Sequence, residues 1–258
     1  MHHQQFNSSA NSAILFLHGA NAGGWMWDNV IHHLPNYHCI SVDFPGHGKS
    51  NSEPWTYPEH VAGEVVAIVQ QLNLNKPIHL VGFSLGGYVA LHVLSQQAHL
   101  FEKVIISGVP SKAMPYRYLT RVLGIIFSPF IHTDLIINMS ARALAIPEQA
   151  LPDFHARLRE NPKQAFRRIN QQAVNFVPPQ AALLTTNSKL FLAGQKENSA
   201  IKNGLYNFAD PKFARNSTSA KVAQLGHGWV VQDPKLFAAT TSAWIENLTL
   251  PERVKTVG

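Results

Sequence analysis

Short apolar runs alternate with amphipathic stretches through the first third of the chain, and this alternation limits the folds open to it. Residues Ala13–Leu17, 39–42 and 78–81 are almost wholly apolar, and each run leads into a turn that contains glycine. The segments between them, 25–34 and 58–72, carry apolar residues at helical spacing. Buried strands that alternate with helices indicate a parallel sheet with right-handed crossover connections.

The same alternation continues and returns near the end of the chain. It predicts a helix at 85–97, further strands at 103–106, 189–193 and 221–225, and a closing helix at 234–248. Residues 110–187 interrupt it with prolines and helical patterns, at 119–127, 134–145, 147–158 and 162–175, and with no convincing strand. We therefore expect an α/β core formed by 1–109 and 188–258, with 110–187 as a helical insertion.

Composition excludes several other classes of protein. With 45% apolar and 14% charged residues among 258, the chain is expected to fold as one large globular unit. The single cysteine, Cys39, lies in an apolar run and supports neither a disulfide framework nor a cysteine metal cluster. The fourteen histidines show no metal-ligand spacing, so we expect no metal. The sequence implies no organic cofactor either.

Charge and hydropathy bear on partners and location. The net charge of +6 comes mainly from residues 110–188, which hold nine Lys or Arg against four Asp or Glu. No basic run is interleaved with aromatic residues, so no nucleic-acid partner is expected. Residues 1–11 are polar, and the longest apolar region, 122–139, is interrupted by Ser128, Pro129, His132 and Asp134. We therefore expect a cytoplasmic protein without stable membrane insertion; the sequence does not indicate an oligomeric state.

The sequence Gly82-Phe83-Ser84-Leu85-Gly86 lies between a predicted strand and a predicted helix. In a G-x-S-x-G turn the serine occupies a strained strand-to-helix elbow, and glycine at both flanks avoids a clash between Cβ and neighbouring backbone. The amides at the start of the following helix point toward the reacting oxygen. This context favours Ser84 as a nucleophile, with Gly82 and Gly86 as the elbow glycines.

A serine nucleophile needs a base, and the base needs an orienting carboxylate. His227 stands in Gly-His-Gly-Trp after the last predicted strand, where a loop can carry it over the elbow. Glu197 follows the strand at 189–193 and gives the chain order Ser, acid, His. Asp210 is the nearest alternative acid.

Two backbone amides are predicted to stabilise the oxyanion. One belongs to Leu85, directly after the nucleophile, and the other to Ala20, which follows His18-Gly19 at the end of the first apolar run. The Gly23-Gly24 pair keeps that loop close to the site. We interpret His18 as a structural histidine beneath the loop.

Taken together, these segments resemble the α/β-hydrolase superfamily over residues 12–109 and 189–248. The resemblance also includes the segment Asp-Phe-Pro-Gly-His-Gly-Lys-Ser at 43–50, which it implies is a structural loop. It further implies that 110–187 is a cap over the site. Two departures stand out: the chain has too few residues before Ala13–Leu17 for the usual pair of antiparallel strands, and Glu197 stands where Asp is commoner. We therefore expect a mostly parallel sheet of about six strands.

The leading functional hypothesis is hydrolysis of a carboxylic ester of a small or medium hydrophobic substrate through Ser84, His227 and Glu197. Apolar cap residues could line the acyl pocket or merely pack the cap on the core: Tyr116, Tyr118, Leu123, Ile125, Ile126, Phe127, Phe130 and Ile131. One alternative is a thioesterase, lyase or C–C hydrolase for an anionic substrate, which would need Arg117, Arg121 or Arg142 to face the pocket. Another is a ligand-binding sensor with slow turnover.

Overall fold

The computed structural model describes residues 1–115, 118, 122, 124–126, 128–144, 146, 148 and 151–258. Several residues named above lie outside this set, namely Tyr116, Arg117, Arg121, Leu123 and Phe127.

One eight-stranded sheet forms the centre of the molecule, with strand order β1-β3-β2-β4-β5-β6-β7-β8. The strands are β1 His3–Phe6, β2 Ala13–Leu17, β3 His38–Val42, β4 Ile78–Phe83, β5 Lys103–Ser107, β6 Ser188–Gly194, β7 Ser217–Val222 and β8 Val254–Val257. The six strands from β3 to β7 in this order are mutually parallel, as predicted.

The two edge strands were not predicted. β1 runs antiparallel to β3, with His3 opposite Val42, and β8 runs antiparallel to β7, with Ser219 opposite Val257. Each has only four residues and a largely polar or exposed sequence, HQQF and VKTV, so neither forms an apolar run. Such short, polar edges are typical of sheets that resist pairing with other chains.

Helices cover both faces of the sheet. Their bounds are α1 Asp28–His32, α2 Pro58–Leu72, α3 Leu85–Gln97, α4 Asp134–Leu144, α5 Leu151–Glu160, α6 Lys163–Ala173, α7 Gln180–Leu183, α8 Ser199–Ala209, α9 Trp229–Gln232 and α10 Pro234–Ile245. Ala13, Leu15 and Leu17 of β2 join the core beneath α2, α3 and α8. Ile14 and Phe16 join the core beneath α1 and α10. Both faces of β2 are thus buried, which explains its unbroken apolar sequence.

The last parallel strand begins and ends earlier than predicted. The apolar pattern placed it at 221–225, whereas β7 spans Ser217–Val222. Its first three residues are hydroxyl-bearing and do not mark an apolar run, although Ser219 is fully buried. After Val222 the chain leaves the sheet, and Gln224 adopts a positive φ of 64°.

Between β5 and β6, the described residues form helices and no strand. α4 and α5 form a small apolar cluster of their own from Ile137, Ala141, Phe154 and Leu158, which packs against Trp25. α6 contributes Ala165 and Ile169 to the main core. Among the helices that the structure describes, none is long and apolar enough to cross a membrane.

Candidate active site

Ser84 occupies a sharp turn between β4 and α3, with φ of 52° and ψ of −115°. Its N–H donates to the Ser107 carbonyl oxygen at 2.8 Å, which fixes the turn to β5. A Cβ atom on Gly82 would lie 2.5 Å from the Gly86 carbonyl oxygen, and one on Gly86 would lie 2.0 Å from the Leu17 carbonyl oxygen. The backbone itself therefore holds the serine at a positive φ, which is rare for a residue with a side chain.

His227 lies in the loop between β7 and α9, and its imidazole reaches the elbow. Its Nε2 is 3.1 Å from Ser84 Oγ. The ring packs at a tilt against Phe83, with centroids 4.9 Å apart. On another side is Gly108, where a Cβ atom would lie 2.8 Å from His227 Cε1 and where φ is +73°. These neighbours leave the ring little room to turn.

Glu197 lies in the turn after β6, and its side chain is fully buried. Its Oε2 accepts a hydrogen bond from His227 Nδ1 at 2.8 Å, and its Oε1 accepts one from the Gly194 N–H at 3.0 Å. A proton on Nδ1 leaves the Nε2 lone pair directed at the Ser84 hydroxyl. The structure therefore brings Ser84, His227 and Glu197 into one hydrogen-bonded chain.

Asp210, the alternative acid, does not join this chain. It ends α8 at the surface, and its Oδ1 accepts a hydrogen bond from the Lys212 N–H at 2.9 Å.

The loop that carries Ala20 runs beside the serine. A Cβ atom on Gly19 would lie 3.5 Å from Ser84 Cβ and 2.9 Å from the Phe83 ring. Within the described part of the chain, neither the Ala20 nor the Leu85 amide donates to a protein acceptor. Both amides are thus free to donate to a group bound at Ser84.

Two buried histidines support this loop. His18 Nδ1–H donates to the Gly19 carbonyl oxygen at 2.7 Å, and its Nε2 accepts from the Phe44 N–H at 3.0 Å. Burial lowers the pKa of His18 to about 4, so the ring is neutral near pH 7. His18 therefore lies beneath the loop, as the sequence predicted.

His47 supports the same loop more directly, and sequence reasoning missed this contact. Its Nε2 accepts from the Asn21 N–H at 3.2 Å, and its Nδ1 bonds the Pro45 carbonyl oxygen at 3.1 Å. Burial, with a smaller contribution from His18, lowers the pKa of His47 to about 3. Nearby, Asp43 Oδ1 accepts from the Gly24 N–H at 2.7 Å, which is a structural use of this carboxylate.

Two cavities lined by described residues border Ser84 and His227. The first, of about 240 Å³, lies between the Ala20 loop and the insertion. Its other side chains are almost all apolar: Ala20, Ala22, Trp25, Met26, Phe83, Ile146, Phe154, Leu158, Val230 and Val231, with Asn21 and Ser140. The second, of about 210 Å³, lies toward α3 and α8. No Lys, Arg, Asp or Glu among the described residues borders either cavity.

The described wall of the first cavity differs from the acyl lining that the sequence offered as one possibility. Those of its members that the structure describes, Tyr118, Ile125, Ile126, Phe130 and Ile131, do not border the first cavity. Arg142 is exposed to solvent. Within the described residues, no group of three or more His, Cys, Asp or Glu could hold a metal ion.

Known proteins share parts of this sequence. Lipase LipV of Mycobacterium tuberculosis is 34% identical over 95 residues, which make up 36% of this chain and 35% of that protein. A Haemophilus influenzae protein provisionally named 2-succinyl-6-hydroxy-2,4-cyclohexadiene-1-carboxylate synthase is 38% identical over 96 residues, 37% of this chain and 38% of its own length. The chain thus aligns with little more than a third of these curated relatives.

The whole fold also has solved counterparts. An esterase from Exiguobacterium antarcticum superimposes with a TM-score of 0.79 at 19% identity, over 95% of this chain and 94% of that one. At this identity the likeness shows the fold alone, and it confirms the predicted architecture. The sequence model of the alpha/beta hydrolase family matches residues 14–240. The chain therefore belongs to the alpha/beta hydrolase family.

Proposed function

We propose that this protein is a serine hydrolase that cleaves a carboxylic ester of a small or medium hydrophobic substrate. The observation that carries the proposal is the hydrogen-bonded chain from Ser84 through His227 to the buried Glu197, placed at the edge of an apolar cavity. A serine at neutral pH becomes a competent nucleophile only with such a base and orienting acid.

In the proposed reaction, His227 Nε2 takes the proton from Ser84 Oγ as that oxygen attacks the ester carbonyl carbon. The negative charge that develops on the carbonyl oxygen is stabilised by the Ala20 and Leu85 amides. His227 then donates the proton to the departing alcohol oxygen, and an acyl group remains on Ser84. Water, activated by His227, releases the acid. Glu197 stabilises the imidazolium that forms in each half of the reaction.

The cavity between the Ala20 loop and the insertion supports a neutral acyl group of modest size. Its volume of about 240 Å³ lies just below the roughly 300 to 1,000 Å³ usual for small-molecule pockets, and its described lining is uncharged and mostly apolar. We propose that 110–187 acts as the cap that encloses this group, since Ser140, Phe154 and Leu158 contribute to its wall.

The alternative of an anionic substrate has less support. Burying an anion beside Ser84 requires a paired cation, and no described Lys or Arg borders either cavity. A slow ligand-binding sensor would differ from the proposed hydrolase in rate rather than in architecture, so turnover separates the two.

A fluorophosphonate probe and a p-nitrophenyl butanoate assay test the proposal. Wild-type protein should be labelled and should hydrolyse the ester over many turnovers, whereas Ser84→Ala should do neither. Ser95→Ala is the matched control and should keep labelling and turnover: this serine of α3 borders neither cavity, and its hydroxyl bonds the His92 carbonyl oxygen. Absence of wild-type labelling, labelling that persists in Ser84→Ala, or only a single turnover would refute the proposed hydrolase.

A further inference from the structure

The second cavity beside Ser84 has a different chemical character from the first. It is bordered by Tyr88, Met114, Val174, Asn198 and Ile201, together with the glycine at 108, and it shares Ser84 and His227 with the acyl cavity. A substrate whose carbonyl lies at Ser84 therefore has room on both sides. The two sides differ in the polar groups they present.

Tyr88 presents a hydroxyl group that the fold does not use. The ring stacks on Phe176 at 3.8 Å between centroids, with an angle of 11° between the planes, so its position is fixed. Within the described residues the hydroxyl has no hydrogen-bond partner. Burial raises the pKa of Tyr88, and the charge of Glu197 raises it further, so the hydroxyl keeps its proton.

Asn198 also presents a hydrogen-bond donor that the fold does not use, its side-chain NH₂ group. Its Oδ1 accepts from the Ile201 N–H at 3.1 Å and caps α8. Its Nδ2 has no protein acceptor among the described residues. The second cavity thus presents the Tyr88 hydroxyl, which can donate and accept a hydrogen bond, and Asn198 Nδ2, which can donate one. Apart from Ser84 and His227, the rest of its wall is apolar. The acyl cavity presents the Asn21 side-chain amide and the Ser140 hydroxyl, which is already bonded, but among its described residues it presents no free hydroxyl besides that of Ser84.

The order of product release indicates which half of the ester belongs there. The alcohol departs while the acyl group is still bound to Ser84, so the alcohol needs a path to solvent. The second cavity offers one, because Asn198 is exposed and Met114 is half-buried. The acyl group, held covalently, suits the apolar cavity beneath the insertion.

We propose that the second cavity is an alcohol subsite that selects esters whose alcohol carries a further hydroxyl group, which bonds Tyr88 Oη and Asn198 Nδ2. This inference rests on the proposed ester hydrolysis. It names the substrate class as a monoester of a diol or polyol with a small or medium acyl group.

Two esters of the same acid test the subsite. 2-Hydroxyethyl butanoate and propyl butanoate differ only by a hydroxyl in place of a terminal methyl group, so the ratio of their kcat/KM values isolates that group. Wild-type protein should favour the hydroxyethyl ester. Tyr88→Phe, which keeps the ring on Phe176, should reduce the ratio about three- to tenfold, the usual effect of one neutral hydrogen bond.

Asn198→Ser gives a second measurement, since serine also caps a helix, and it should reduce the ratio in the same direction. Tyr206→Phe is the control, because Tyr206 is exposed on α8 and bonds Lys221 rather than the cavity. Equal losses for both esters, with the ratio unchanged, would show that Tyr88 and Asn198 only support Glu197. That result, or a wild-type ratio at or below one, overturns the subsite while ester hydrolysis stands. Failure of both esters and of the fluorophosphonate probe would refute the hydrolase and the subsite with it.

Discussion

Replacing Glu197 by glutamine removes the charge behind His227 while keeping the shape of the side chain. Both carboxylate oxygens accept hydrogen bonds, Oε2 from His227 Nδ1 at 2.8 Å and Oε1 from the Gly194 N–H at 3.0 Å. An amide has only one oxygen, so one of these donors must face an NH₂ group. The side chain is fully buried, so solvent cannot relieve that conflict.

Either orientation of the amide impairs the base. If the amide oxygen stays with Gly194, the NH₂ group favours the His227 tautomer with its proton on Nε2, which cannot accept the Ser84 proton. If the oxygen faces His227, the imidazolium loses its charged partner. The equivalent change in serine proteases lowers kcat about 10⁴-fold, so we expect a decrease of about 10³- to 10⁴-fold. This corresponds to roughly 4 to 5 kcal/mol of transition-state stabilisation.

Initial rates of p-nitrophenyl butanoate hydrolysis measure the effect, with circular dichroism to verify folding. Asp210→Asn is the matched control, since its carboxylate bonds the Lys212 N–H at the surface, and it should stay within about twofold of wild type. A folded Glu197→Gln protein with kcat within tenfold of wild type would refute the assignment of Glu197, as would a large loss in Asp210→Asn.

Two further predictions concern stability. Gly86→Ala should have a free energy of unfolding, measured with urea, lower by roughly 1 to 3 kcal/mol and should lose activity, because its Cβ would lie 2.0 Å from the Leu17 carbonyl oxygen. Gly63→Ala, where the nearest atom would be 3.8 Å away, should instead be unchanged or slightly stabilised; equal effects at both positions would contradict the argument. The free energy of unfolding should also fall as pH drops from 6.5 to 4, because burial lowers the pKa of His18 to about 4 and that of His47 to about 3, so both rings bind protons more readily when unfolded. His18 alone should contribute roughly 3 kcal/mol of this decrease at pH 4, and urea unfolding that is independent of pH in this range would disprove it.

The meeting of Ser84, His227 and Glu197 was predictable from the sequence because each follows a strand of one parallel sheet. The carboxyl ends of such strands share an edge, so residues far apart in the chain converge there. This held for His227 even though β7 ends earlier than the apolar pattern indicated, because the loop after Val222 still ends above the elbow.

Other features of the site depend on tertiary packing, which local sequence patterns do not indicate. The cavity wall combines Trp25 of the core with Phe154 and Leu158 of the insertion, which meet only through tertiary contacts. Among the described apolar residues that the sequence offered for this wall, Tyr118, Ile126 and Phe130 are exposed instead. The support of the Ala20 loop by His47 likewise required two loops to be placed side by side.

Ser84 and His227 are separated by 143 positions in the chain, so catalytic activity reports that the chain has folded at least as far as the loop after β7. The elbow needs only the first five strands and α3, because the Ser84 N–H bonds Ser107 of β5. The imidazole, however, lies in the loop after β7, which follows the whole insertion in the chain. A refolding chain should therefore regain far-UV circular dichroism before it regains turnover. A chain that ends before β7 would carry the nucleophile without its base.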